Sequence, residues 1–176
     1  MTKSLNRWQL VGFIFTGIAG TLLHFFYDWT NHSVIAAFFS AVNESIWEHM
    51  KLLFFPMFVF GLIENRVIGR NHDNFWCSKL VGAVVGLLLI PIFYYTYTGA
   101  FGLSADWFNI VIFFIAAGSA YYLETQILKQ EINCYKSSLK ALIFLCFIAL
   151  LFIVLTFVQP KIPLFQDMST GTYGIK

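Results

Sequence analysis

Four stretches of the chain, residues 8–27, 75–98, 107–127 and 139–158, are predominantly apolar and at least 20 residues long. A hydrocarbon layer ~30 Å thick needs about 20 helical residues, so these segments dictate a helical membrane protein. A fifth apolar run, 52–63, has only 12 residues and reaches ~18 Å as a helix. To cross, its helix must begin near Asn43 and end near Ile68. That extension draws Asn43-Glu44-Ser45-Ile46-Trp47-Glu48-His49-Met50-Lys51 into one leaflet. Composition agrees: hydrophobic residues make up 59% and charged residues 11% of the chain, against about 25% charged in soluble domains. Aromatic content of 19% excludes a disordered chain. A net charge of +2 with no basic cluster excludes nucleic-acid binding. The expected fold is all-α, a single domain over 1–176: a bundle of five transmembrane helices at about 8–27, 43–68, 75–98, 107–127 and 139–158, with the lipid bilayer as its surroundings.

The run 33–42 is too short to span and is expected to be re-entrant or interfacial. The remaining tail, 159–176, then emerges opposite the N terminus. With the N terminus in the cytoplasm, the inner side holds Lys3, Arg7, Arg66, Arg70, Lys79, Lys129, Lys136 and Lys140, and the outer side only Lys51, Lys161 and Lys176. Eight against three fits the positive-inside rule; a spanning 33–42 would move two basic groups outside. The tail is expected to be either frayed or folded back as a lid. Trp8, Trp29, Trp47, Trp76 and Trp107 fall at span ends, as an interfacial belt would. Cys77, Cys134 and Cys146 form no CxxC pair, so neither a disulfide nor a thiolate metal site is expected. Gly82-x3-Gly86 is read as ordinary small residues, a close helix seam being the less favoured alternative. Walker and GxGxxG loops are absent, leaving ATP hydrolysis and dinucleotide chemistry without support.

Ionisable residues inside spans are costly and point to function, and here they gather on one side. His24 and Asp28 share a face at the outer end of the first helix, as do Glu44 with Glu48 and Ser45 with His49 in the second. Asp106 and the tail lie on the same side. The expected pocket is lined by His24, Asp28, Asn43, Glu44, Ser45, Glu48, His49, Lys51, Asp167 and Tyr173. Glu64 and Glu124, on the opposite side, are expected at the interface beside Arg66 and Lys129.

Imidazole and carboxylate are the ligands of zinc and similar divalent ions. His24, Asp28, Glu48 and His49 are therefore the expected metal set, with Glu48 also the candidate catalytic base. HExxH is absent, and the adjacency of Glu48 and His49 makes joint coordination awkward. Ser45 beside His49 also suits a nucleophile and base. Helix capping competes for the same residues, and Asn43 is the favoured cap. A proton- or cation-coupled path through the bundle is disfavoured, because the third to fifth spans offer little at mid-depth beyond Ser119 and Thr156.

The Asn43-to-Lys51 run, preceded by His24 and Asp28 and closed by Phe165-x-Asp167…Thr170-Gly171-x-Tyr173-Gly174, resembles a family of small multi-pass bacterial membrane proteins of unknown function. The resemblance covers essentially the whole chain. It implies a bacterial cytoplasmic (inner) membrane and supplies no catalytic residues. The reading is then a pocket facing the extracytoplasmic side that binds a metal ion such as zinc, or a small ligand, in a transport- or sensing-related protein. Three alternatives stay open: a metal-dependent membrane hydrolase using the same residues, a membrane subunit of a multiprotein transporter (similar in size to the substrate-capture components of energy-coupling-factor systems), and a purely structural polar network.

Overall fold

A computed structural model describes residues 2–130 and 138–175, with side chains from Ser4 to Lys129 and from Ser138 onward. Cys134, Lys136, Lys176 and the Lys3 side chain lie outside the described residues. The chain is all-helical, with no strand among the described residues: α1 Thr2–Trp29, α2 Val34–Ala37, α3 Ile46–Val67, α4 Phe75–Phe101, α5 Asp106–Gln130 and α6 Ser138–Phe157. Short 3-10 turns follow at Gly69–Asn71 and Pro163–Phe165. Five of these helices, all but α2, are long and apolar enough to cross a membrane. Each rests on a run too apolar for water, and each leaves apolar side chains outside. On α1, Leu10, Ile14, Ile18 and Leu22 are all about half exposed, a stripe at helical spacing that suits lipid rather than solvent.

α3 is the central helix. The side chains of Leu52, Leu53, Phe54, Phe55 and Met57 are buried, and α1, α4 and α6 pack around it. The helix begins at Ile46, three residues later than the span argument requires. Pro56 lies inside α3 and cannot donate to the Leu52 carbonyl one turn earlier. Gly20 of α1 packs against that carbonyl: a Cβ built on Gly20 would lie 2.7 Å from the Leu52 oxygen. Only a hydrogen fits there, so proline and glycine together set the closest approach of α1 to α3. Gly82 and Gly86 form the equivalent seam between α4 and α5. A Cβ on Gly82 would stand 3.0 Å from the Ala120 carbonyl, and one on Gly86 would stand 3.2 Å from the Ala120 Cβ. The Gly82-x3-Gly86 pattern is thus a close packing seam, which corrects the blander expectation.

The segment 33–42 holds only the single turn α2. After α1 the chain reverses through left-handed backbone at Asn31 (φ 51°) and His32 (φ 60°), a conformation Asn and His tolerate better than most residues. It then runs back beside α1. Ser40 is fully buried; its hydroxyl accepts from the Tyr27 N–H at 3.0 Å and donates to the Leu23 carbonyl. Those two groups belong to one step of the α1 ladder, so this single side chain fastens the segment to the helix.

Two further expectations change. Trp29 and Trp107 are exposed, as an interfacial belt requires, but Trp76 is buried. Trp47 packs between Phe152 and Phe165 in tilted ring contacts, with centroids 4.6 and 4.7 Å away. Cys77 is disulfide-bonded, against the expectation of none; Cys146 is free and exposed.

Candidate functional site

The face of the bundle opposite the N terminus is built by the end of α1, the start of α3 and the tail. Ser45 caps α3, its hydroxyl accepting from the Glu48 N–H at 3.3 Å. Asn43, the cap favoured from sequence, instead accepts from the Ser45 N–H at 3.0 Å and donates to the Gly174 carbonyl at 2.9 Å. This tight turn leaves Glu44 outside the helix, free to point back over α1.

Glu44 meets two histidines there. Its Oε2 lies 3.6 Å from His24 Nε2 and 3.5 Å from His49 Nε2, and the two imidazoles stand edge to face with centroids 5.4 Å apart. One ligand atom from each of the three residues lies within 4.8 Å of the others. Side-chain exposures of 30%, 44% and 28% for His24, Glu44 and His49 leave the group open on one side. His49 Nδ1 lies 2.8 Å from the Ser45 carbonyl oxygen, which can only accept. Nδ1 therefore carries a proton, and in the neutral ring Nε2 presents a lone pair to Glu44. The His24 imidazole beside Glu44 holds its carboxyl below the ordinary carboxylate range, against the opposing effect of burial.

The other residues expected in this pocket are engaged elsewhere. Asp28 points outward to His32, at 3.3 Å. Glu48 and Lys51 are fully buried and face each other at 2.6 Å. Glu48 also accepts from the Val42 N–H at 3.2 Å and lies 3.0 Å from the Thr156 hydroxyl. Lys51 donates to the Ala37 carbonyl at 2.9 Å and to Thr156 at 2.8 Å. Glu48 thus faces Lys51 and the Val42 N–H, tying 33–42 to α3 and α6, and is not among the three groups that converge at the histidines. Asp106 and Tyr173 are exposed and do not join the three converging groups.

The tail folds back. Phe165 and Asp167 are buried. The Asp167 carboxylate accepts from the Ser169 and Thr170 N–H groups at 2.8 and 3.0 Å. Its other oxygen is 3.4 Å from the Glu44 nitrogen. The segment is therefore folded back against the start of α3 beside the cluster, rather than frayed.

Sequence reasoning missed one group altogether. Glu64 and Glu124 do not sit beside Arg66 and Lys129 at the interface. Both are buried, and both pair with Lys79 of α4. Gly82, whose missing side chain makes room for Glu124, was the one hint that the sequence offered.

No curated protein and no solved structure matches this chain. A family model described as a family of unknown function (DUF6512) matches residues 1–175, and the chain belongs to that family.

Proposed function

We propose that this multi-pass membrane protein of the DUF6512 family binds a divalent transition-metal ion, with zinc the type case, through His24, Glu44 and His49, in a transport- or sensing-related role. The convergence of three acceptor atoms carries the reading. Ligands on zinc–nitrogen and zinc–oxygen bonds of ~2.0–2.1 Å stand about 3.3 Å apart in a tetrahedron, close to the 3.5 and 3.6 Å found here. The hydrogen bond from His49 Nδ1 to the Ser45 carbonyl is the outer support that orients metal-binding histidines. Three protein ligands with one open side leave a fourth position for water or an exchanging ligand, which suits uptake or sensing of an ion. Relative to the sequence reading, His24 and His49 stay, and Glu44 replaces Asp28 and Glu48. The hydrolase alternative is less favoured, since the Glu48 carboxylate it would use as base pairs with Lys51.

The test is zinc titration of tag-free purified protein against a chromophoric chelator. One ion per chain is expected. His49→Ala and Glu44→Ala should weaken binding more than about 100-fold, beyond the loss typical of an outer-shell partner. Asp28→Asn should bind as the parent does. Binding unchanged in His49→Ala would discard the site.

The cluster is proposed to face the extracytoplasmic side of a bacterial inner membrane, on the strength of the eight-to-three distribution of Lys and Arg. The Cys77 disulfide supports the reverse, because such bonds are rare in a reducing cytoplasm. Reporter fusions decide between them. A reporter active only outside the cytoplasm should work after Lys176 and stay silent after Asn71; the opposite pattern reverses the orientation.

A further inference from the structure

The end of the bundle that carries the N terminus holds a second buried ionic group, and its charges do not balance. Lys79 Nζ contacts Glu64 Oε2 and lies 2.5 Å from Glu124 Oε2. The Phe75 and Tyr121 rings flank the ammonium, with centroids at 5.3 and 5.4 Å. Two carboxylates against one ammonium leave a formal charge of −1, whereas Glu48 and Lys51 match one to one. Among the described residues the only ion pairs of Glu64 and Glu124 are those with Lys79, and Lys129 of α5 lines the adjoining groove instead. α1 contributes Gln9, which donates to Glu64 Oε1 at 3.1 Å, and Thr16, which lies 2.8 Å from the Tyr121 hydroxyl of α5. α6 contributes the apolar Leu145. Glu124 is fully buried, and its Oε1 has no hydrogen-bond partner, nor does Gln9 Oε1. A gap of about 10 Å³ lies between Gly61, Trp76, Lys79, Glu124 and Leu145.

We propose that Glu64, Lys79 and Glu124 form a proton-binding site that takes up one proton per chain on a carboxylate. An uncompensated charge at this depth is costly, and two carboxylates that share a site do not both ionise readily. A single proton neutralises the cluster. The gap is about the size of one water molecule and excludes any larger ligand. An open groove of about 340 Å³, lined by Asn6, Gln9, Tyr121, Thr125 and Lys129, adjoins the cluster at Gln9, whose amide donates to Glu64. This site is separate from the histidine cluster. Glu48 and Glu64 lie 16 positions apart on α3, a rise of ~24 Å, with the apolar run 52–63 between Lys51 and Glu64.

Infrared difference spectroscopy between high and low pH, on detergent-purified protein, reads the proton directly. A reversible carboxylic-acid C=O band worth one group per chain is expected, absent from Glu124→Gln or Glu64→Gln and retained in Glu44→Gln. Thermal unfolding gives a second readout. The protonated cluster is the neutral one, so the parent loses stability as the pH rises through its titration. Glu124→Gln, which carries no surplus charge, should hold its midpoint over the same range. Lys79→Arg keeps the charge balance and should keep the band, should a Gln variant fail to fold. A band that survives both Gln variants, no band at any pH, or a stability that follows sodium rather than pH would each overturn the proposal. Zinc binding should be unaffected in Glu124→Gln, so the two sites stand or fall separately.

Discussion

Glu48→Ala is expected to destabilise the protein by about 3–5 kcal/mol, the range for removing one partner of a buried ion pair. The variant leaves the Lys51 ammonium fully buried, with two neutral oxygen partners, Ala37 O and Thr156 Oγ1, and no counter-charge. It also strips the Val42 N–H of its acceptor. Chemical denaturation in detergent micelles reads the loss. Glu48→Met with Lys51→Met should be milder than Glu48→Ala alone, because no charge is then stranded. It should not return to the parent value, since the Ala37 carbonyl and Val42 N–H still lose their partners. A Glu48→Ala variant within about 1 kcal/mol of the parent, the scale of an exposed ion pair, would show that the pair does not hold 33–42 in place. The purely structural reading of the polar residues predicts this loss of stability for Glu48 and Lys51, which pair with each other in the interior.

The second large effect is expected at Phe165. Its ring packs on Trp47, which in turn packs on Phe152, so an aromatic column joins the tail to the bundle. Truncating a buried phenylalanine to alanine costs about 3–5 kcal/mol. Here the loss is expected to fall on the docking of 159–175 rather than on the bundle, leaving the Asn43–Gly174, Glu44–Asp167 and Glu44–Met168 contacts to hold the tail. Phe165→Ala should therefore leave the helical content unchanged and make the tail a substrate for limited proteolysis, with cleavage sites mapped by mass spectrometry. A tail that stays resistant would mean the polar contacts suffice.

The sequence carried most of the architecture because lipid imposes a length. Twelve apolar residues cannot cross, so α3 had to recruit its polar prologue, and α3 does begin at Ile46 with Glu48, His49 and Lys51 in its first two turns. The choice among those polar groups was harder to read. Helical spacing puts His24 with Asp28 and Glu44 with Glu48, but the first turn of α3 aims Glu48 back at Lys51 and the Val42 N–H, while Glu44 lies before the helix and obeys no helical spacing at all. Glu64, Lys79 and Glu124 sit on three different helices. No pattern within one segment could join them, and each alone looks like a charge at a span end.

The contact between Gly20 and the Leu52 carbonyl has a mechanical consequence. A methyl group at position 20 would stand 2.7 Å from that oxygen, so Gly20→Ala is expected to push α1 off α3. His24 lies four residues from Gly20 and Gln9 eleven, about 6 and 16 Å along the axis. The displacement would therefore be felt first where His24 meets Glu44.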